Sequence, residues 1–367
     1  MKVAWRAAVL FLAVPAAIVP RATPGAQAGS VLERHEFHEP HMGTICRIVL
    51  YSADPSAAAA ASREGFRRIG ELDRRLSDYR SDSELSRVVR DAASDPVTVS
   101  PDLFAILSTA QTLASRTGGA FDVTAGATTK LWRRARRIGE LPSEADVAAA
   151  RASSGYELLS LEAANRTVQF RQDGVQLDLG GIAKGYAADA ALEEIRSSGF
   201  PRALVAVGGD IATGDAPPRA AGWEVGISAW DAGADAPAPV VLSRSAISTS
   251  GESEQWLEVD GVRYSHIVDP RTGRALTERR QVSVIAPRAT TSDMLATAAS
   301  VLGGAEAIRL VEETPGAAIL TGTREKSGLV RWTASSRWPS PQPSGPETRK
   351  GLHDVRGGGA SALREQP

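Results

Sequence analysis

LDLGGIAKGYAADAA, residues 177–191, is the stretch on which the reading of this chain turns. An extended segment delivers Asp178. Gly180 and Gly181 then let the backbone come close to a ligand, and a helix begins at about Ile182. The free N–H groups and dipole of a helix's first turn favour an anion, and Lys184 adds positive charge to that turn. The plain alternative is a strand-to-helix turn whose glycines only relieve strain. The stretch is not a dinucleotide fingerprint, since G-x-G-x-x-G is absent, and it is not a phosphate-binding loop of the Walker type.

Upstream, residues 168–170 and 175–179 flank Asp173-Gly174, which predicts a hairpin whose second strand carries Asp178 to the glycine turn. Residues 41–51 end in alternation and read as a first strand. Phe66, Ile69, Leu72 and Leu76 have helical spacing, and the helix they form ends near Ser77. Leu103, Leu107, Ala110 and Ala114 predict a second helix, with Pro101 in its first turn and Gly118-Gly119 as its stop. Further strands are expected over 203–207, 223–227, 256–259, 262–265 and 282–285, and helices over 291–301 and 305–312. Strands and helices mix without regular alternation. That predicts one large α+β domain with mostly antiparallel pairing and flanking helices.

The ends bound this domain. Lys2 and Arg6 precede an apolar run over 7–19, and Ala26-Gln27-Ala28 follows. Charge, a short apolar core and A-x-A predict a signal peptide over 1–28, cleaved before Gly29, and therefore an exported, periplasmic protein. An uncleaved anchor that ties the chain to the inner membrane is the alternative. No cysteine follows the run, so a lipidated N-terminus has no support. The domain is expected over 29–335. Residues 336–367, rich in proline, glycine and charge, read as a disordered tail. The loop at 232–239, rich in alanine and proline, reads as a surface loop. Cys46 is the only cysteine, so no internal disulfide forms, and the default role is a buried thiol. The formal net charge is −1. The one basic cluster, Arg133, Arg134, Arg136 and Arg137, reads as a solvated helix end, and no nucleic-acid role is indicated.

Three more segments carry chemistry. In TSDMLAT, residues 291–297, Asp293 and Thr297 lie four apart on one helix face, and a carboxylate beside a hydroxyl suits Mg²⁺. Helix capping by Ser292 or Asp293 is the alternative. In HIVDPRTG, residues 266–273, His266 ends a strand before a turn and could act as a base near neutral pH. Of the other four histidines, three lie near the expected mature N-terminus and one in the tail, so His266 is the one expected in the body of the fold. In GGAFDVT, residues 118–124, Phe121 and Asp122 offer a ring and a carboxylate to a planar ligand, or Phe121 packs in the core. Motifs for serine hydrolases and zinc sites are absent.

With these segments in order, the chain resembles the ApbE family, the FAD:protein FMN transferases. The resemblance runs from HMGT at 41–44 to about Trp332. It includes LDRRLSDYRSDSELSRV, TGGAFDVTAG, LDLGGIAKGYAAD, VAVGGDI, ISTSGE, YSHIVDPRTG and TSDMLATA. It implies Mg²⁺-dependent transfer of the FMN half of FAD to a threonine or serine hydroxyl of an acceptor flavoprotein, with a phosphoester formed and AMP released. It also implies FAD contacts at Met42, Tyr79, Ala120, Phe121, Asp122, Asp178, Lys184 and Ile267. The metal would be held by the Gly181 carbonyl, Asp293 and Thr297. On the residues themselves, His266 and Asp293 are the catalytic candidates, His266 as the base and Asp293 or a metal-bound water as the competing proton acceptor. The acceptors it suggests are exported or membrane electron-transfer subunits. Two other readings stand beside it: an FAD pyrophosphatase giving FMN and AMP, and a secreted FAD-binding protein, against which the retained metal residues argue.

Overall fold

The computed structural model describes residues 31–227, 236–251, 256–325 and 327–340. The expected signal segment lies outside them, as do residues 232–235 of the alanine- and proline-rich loop and the tail from 341.

Eight strands form one antiparallel sheet in which spatial order is chain order. They are Glu33–His41, Thr44–Ser52, Ala203–Val207, Asp210–Thr213, Ser245–Gly251, Arg280–Ala286, Ala318–Arg324 and Val330–Ala334. Alternation assigns the faces. In the second strand Cys46, Ile48 and Leu50 face the helices, while Val49 faces a second, smaller core. The third strand does the same, with Ala203, Val205 and Val207 on one side and Leu204 and Ala206 on the other. The smaller core is closed by a short strand pair, Trp223–Val225 with Val240–Leu242. The expectation of an α+β domain with antiparallel pairing therefore holds, and every ladder between named strands is antiparallel.

The described residues form eight α-helices: α1 Pro55–Leu76, α2 Glu84–Asp91, α3 Pro101–Arg116, α4 Gly126–Ile138, α5 Glu144–Ala152, α6 Ala183–Ser197, α7 Ala289–Leu302 and α8 Gly304–Glu312. α1, α6, α7 and α8 bury their apolar faces against the large sheet. α6 and α7 are rich in alanine on their buried sides, so their backbones approach closely. A separate arm, built of Trp256–Val259 paired with Val262–Ser265 and Val268–Asp269 paired with Arg274–Ala275, packs Leu257, Val268 and Ala275 on Trp132 and Ala135 of α4.

The sequence reading left four later strands of the large sheet (Asp210–Thr213, Ser245–Gly251, Ala318–Arg324 and Val330–Ala334) and helices α2 and α5 unassigned, and the structure departs from it in three further places. The sheet begins one strand earlier, at Glu33–His41, where charged residues and histidines hide the alternation of an edge strand. His35, His38 and His41 therefore belong to the fold, and His41 stacks on Phe66 at 6.2 Å. The hairpin expected across Asp173-Gly174 is only a turn. Residues 167–170 pair elsewhere, while 175–178 run beside 123–126, with Asp178 N donating to Val123 O at 2.8 Å and Gly126 N to Gln176 O at 3.0 Å. Finally, the chain stays packed past Ser335. The Arg337 guanidinium donates to the carbonyls of Ala317, Val311 and Glu312, closing the C-terminus of α8.

Candidate active site

The site forms where α6 and α7 start side by side. Each helix is capped by an aspartate from the other. Asp189 on α6 accepts from Ala289 N and Thr290 N, both at 2.9 Å, and from the Thr290 hydroxyl at 2.6 Å. Asp293 on α7 accepts from Gly185 N at 3.0 Å, one of the first-turn donors that α6 cannot satisfy itself. Asp293 therefore does not cap its own helix. It lies a full turn inside α7, and no side chain caps that end locally. Gly185 makes the crossing possible. A Cβ there would strike the Ala289 carbonyl and stand 2.8 Å from the Asp293 Cβ.

Gly181 completes this corner. A Cβ on it would lie 2.8 Å from Thr297 Oγ1 and 3.2 Å from Phe121 Cε2. The glycine turn, the hydroxyl of α7 and the aromatic ring of the 118–124 segment thus meet at one point. Asp293 and Thr297 share a face of α7 one turn apart. The available donors are a carboxylate, a hydroxyl and backbone carbonyls, all hard oxygens. That set fits Mg²⁺, which commonly takes one or two protein carboxylates and fills its octahedron with water and substrate phosphate. Among the described residues, no group of three or more His, Cys, Asp or Glu side chains is arranged to hold a metal.

Electrostatics sharpen the corner. Asp293 is 2% exposed. Burial, reinforced by the charge of Asp210, pushes its carboxyl up to about 7 against the opposing pull of Lys184 and the Gly185 N–H. Lys184 pairs with Asp210, which is itself buried. Burial works against the ammonium's charge, but Asp210 and Asp293 outweigh it and hold the lysine above its usual range. Asp122 lies on the same 118–124 segment as Phe121. Burial pushes it up to about 6, although the Thr124 N–H and hydroxyl donate to its Oδ1 at 2.8 and 2.7 Å.

A second cluster adjoins the first through Asp178. Its Oδ1 accepts from Gly180 N at 2.7 Å and its Oδ2 from Arg133 at 2.7 Å. Arg133 also pairs with Asp78 and lies over the Tyr79 ring at 4.9 Å. Tyr79 is 80% exposed, so the other face of the ring is open. The reading of α4's arginines as a solvated end is thus wrong for Arg133, which ties α4 to the loop after α1 and to the glycine turn. Arg136 stands beside it, held below the usual range by burial and by the like charge of Arg133.

Four predicted residues remain, and none of the contacts above joins them to the Asp293 corner. Ala120 is fully buried. Met42 sits at positive φ in the turn after the first strand, its N–H donating to Asp73 at 2.9 Å. His266 and Ile267 join the two strand pairs of the arm, where Ile267 N meets Ser265 Oγ at 3.1 Å and Leu276 N meets Ile267 O at 3.0 Å. Trp132 of α4 stacks on Tyr264 at 5.5 Å and donates to Gly273 O at 2.9 Å, so both sides of His266 are tied to the helix that carries Arg133.

Comparison with known proteins fits this arrangement. A family model described as ApbE family matches residues 42–321. The chain belongs to the ApbE family. It is 39% identical over 291 residues to an FAD:protein FMN transferase of Treponema pallidum, spanning 75% of this chain and 80% of that one. It is 30% identical over 331 residues to an FAD:protein FMN transferase of Salmonella typhimurium, spanning 89% and 93%. Among solved structures, the flavin transferase ApbE from Vibrio cholerae superposes with a TM-score of 0.73 at 30% identity, covering 83% of this chain and 98% of that one. The apo form of the Pseudomonas stutzeri flavinyl transferase ApbE gives 0.74 at 29% identity, with 83% and 96% covered.

Sequence reading did not single out Asp189, Asp210 or Arg133 as functional. For Asp189 a signal exists, since Gly185 and Asp189 lie four apart, a small residue and an acid on one helix face.

Proposed function

We propose that this chain is an FAD:protein FMN transferase, moving the FMN half of FAD onto a threonine or serine hydroxyl of an acceptor flavoprotein. The observation that carries this reading is the meeting of Gly181, Thr297 and Phe121 beside the buried Asp293, within a family whose named relatives perform that transfer. The acceptor oxygen attacks the phosphorus on the FMN side of the diphosphate. A new O–P bond forms, the bond to the AMP phosphate breaks, and AMP carries away the leaving electron pair. A base takes the hydroxyl proton, and His266 is the residue we propose for it.

Phosphoryl transfer needs positioning and neutralised charge more than a protein nucleophile. Mg²⁺, when bound, supplies charge neutralisation at the diphosphate. The chain's own residues would do the rest. Asp293, Thr297 and the Gly181 carbonyl would hold the cation. The start of α6, where Asp293 takes the Gly185 N–H, would turn its dipole toward the phosphates. Tyr79 offers an open ring face, and Asp178, fixed by Arg133, braces the glycine turn.

Incubation with FAD, Mg²⁺ and a candidate acceptor, followed by a denaturing gel viewed for flavin fluorescence, tests this. Fluorescence on the acceptor is the expected result. Free FMN and AMP with an unlabelled acceptor would replace transfer by hydrolysis. His266→Ala should lose about 10²–10⁴-fold in transfer while still binding FAD. We further propose export with cleavage before Gly29, which mass spectrometry of the secreted protein would show as a new N-terminus.

A further inference from the structure

Asp210 follows Gly208-Gly209 at the start of its strand, 3% exposed, with its neighbours fixed on both sides. In the sheet it is opposite Val207 and Ser248, and the Ser248 hydroxyl bonds Ser292 of α7 at 2.8 Å. Its carboxylate accepts from Lys184. Lys184 immediately precedes Gly185, whose N–H is bonded to Asp293. Lys184 thus shares the first turn of α6 with the N–H that binds Asp293, and its ammonium hydrogen-bonds Asp210. Lysine is a compact charge on a flexible stem, able to swing between two acids within reach. Asp210 and Asp293 are the two acids whose charge acts on it.

We propose that Asp210 is a positioning residue for the metal site: it holds Lys184 away from Asp293 and so leaves that carboxylate open to a divalent cation. Without Asp210, Lys184 turns to Asp293 and competes with the cation for it. This rests on the reading of Asp293 as a metal ligand.

The test is a double-mutant cycle in Mn²⁺ affinity, measured on the purified protein by the electron paramagnetic resonance signal of free Mn²⁺, with no FAD present. Asp210→Asn should weaken Mn²⁺ binding by about tenfold or more, as loss of an outer partner of a metal site does. Lys184→Met alone should not weaken the affinity, since it removes a positive charge that acts on Asp293, and the double variant should recover at least wild-type affinity. Wild-type affinity in Asp210→Asn overturns the proposal. So does a cycle in which the two effects simply add, since that is through-space charge without restraint. If Asp210→Asn does not fold, Asp210→Ser takes its place in the cycle. In either case a large loss in Lys184→Met alone shows that the lysine aids binding and refutes the restraint. Asp293→Asn is run alongside. If it binds Mn²⁺ as well as wild type, the metal assignment itself has failed, which is a different outcome from an intact site indifferent to Asp210.

Discussion

Replacing Asp122 with Asn should stabilise the fold at neutral pH and weaken the enzyme. Asp122 is half-buried, and the other charged group acting on it is an acid, Glu157. Burial raises its carboxyl from the ordinary 3.8 to about 6. An acid whose folded value is raised stabilises the fold fully below its unfolded value. That contribution is lost as pH climbs through the folded value, here between about 4 and 6. The gap is about two units, so wild type should lose about 3 kcal/mol across that window, an order-of-magnitude figure. Asn keeps the shape and an oxygen for the Thr124 donors but carries no charge, so it escapes the loss. Urea unfolding of both ligand-free proteins, followed by circular dichroism at pH 4 to 8, measures the difference. The advantage of Asn should rise from about pH 4 to 6 and then stay level. A difference that is flat across that range would refute the buried-charge argument, whatever its size. FAD affinity should fall in the same variant if the carboxylate is held there for the ligand, the familiar exchange of stability for function.

Gly181→Ala should abolish transfer while leaving the rest of the fold in place, because its Cβ lands 2.8 Å from Thr297 Oγ1; crystallography or thermal unfolding separates this from global collapse. Asp189→Ala removes four hydrogen bonds at the start of α7, from Ala289 N, Thr290 N, the Thr290 hydroxyl and Arg288, and should lower unfolding free energy by about 1–2 kcal/mol, with Asn recovering most of it. Arg133→Lys should behave almost as badly as Arg133→Ala in KM for FAD, because one ammonium cannot bridge Asp78 and Asp178 and also lie over Tyr79. Asp293→Asn should keep the fold, since Asn still accepts from Gly185 N, yet transfer should fall by about 10²-fold or more at ordinary Mg²⁺.

Three of the eight strands of the large sheet, and the helices packed on it, were open to sequence reading because their signals are local. Leu103, Leu107, Ala110 and Ala114 mark α3, and Pro101 and the glycines at its ends lie within a turn of the residues they punctuate. The first strand escaped because an edge strand in this sheet is largely exposed, so ERHEFHEPH carries no apolar alternation to detect. The hairpin at Asp173-Gly174 misled for the opposite reason. Its turn chemistry is real, with Gly174 at φ 82°, but the segment after it is claimed by residues 123–126, about fifty positions earlier in the chain.

The site divides along the same line. Asp293, Thr297 and the glycine turn could be placed because their spacing on one helix or one turn limits what they can do. What could not be read is which charges meet. Arg133 and Asp178 are separated by 45 residues, Lys184 and Asp210 by 26, and Gly185 and Asp293 by 108. Nothing in the local pattern of LWRRARR separates Arg133, which bridges two acids, from Arg134, which is exposed to solvent. The exchange of caps between α6 and α7 shows why this matters for function. Had Asp293 capped its own helix, its carboxylate would be spent on its own backbone and replaceable by any small polar residue. Because Asp189 caps α7 from outside, Asp293 is free to sit a turn deeper, buried, with Gly185 as its recorded backbone donor. A carboxylate kept so far from water, at a helix crossing that only glycine permits, has its stability paid for by the fold and its chemistry left over for a ligand.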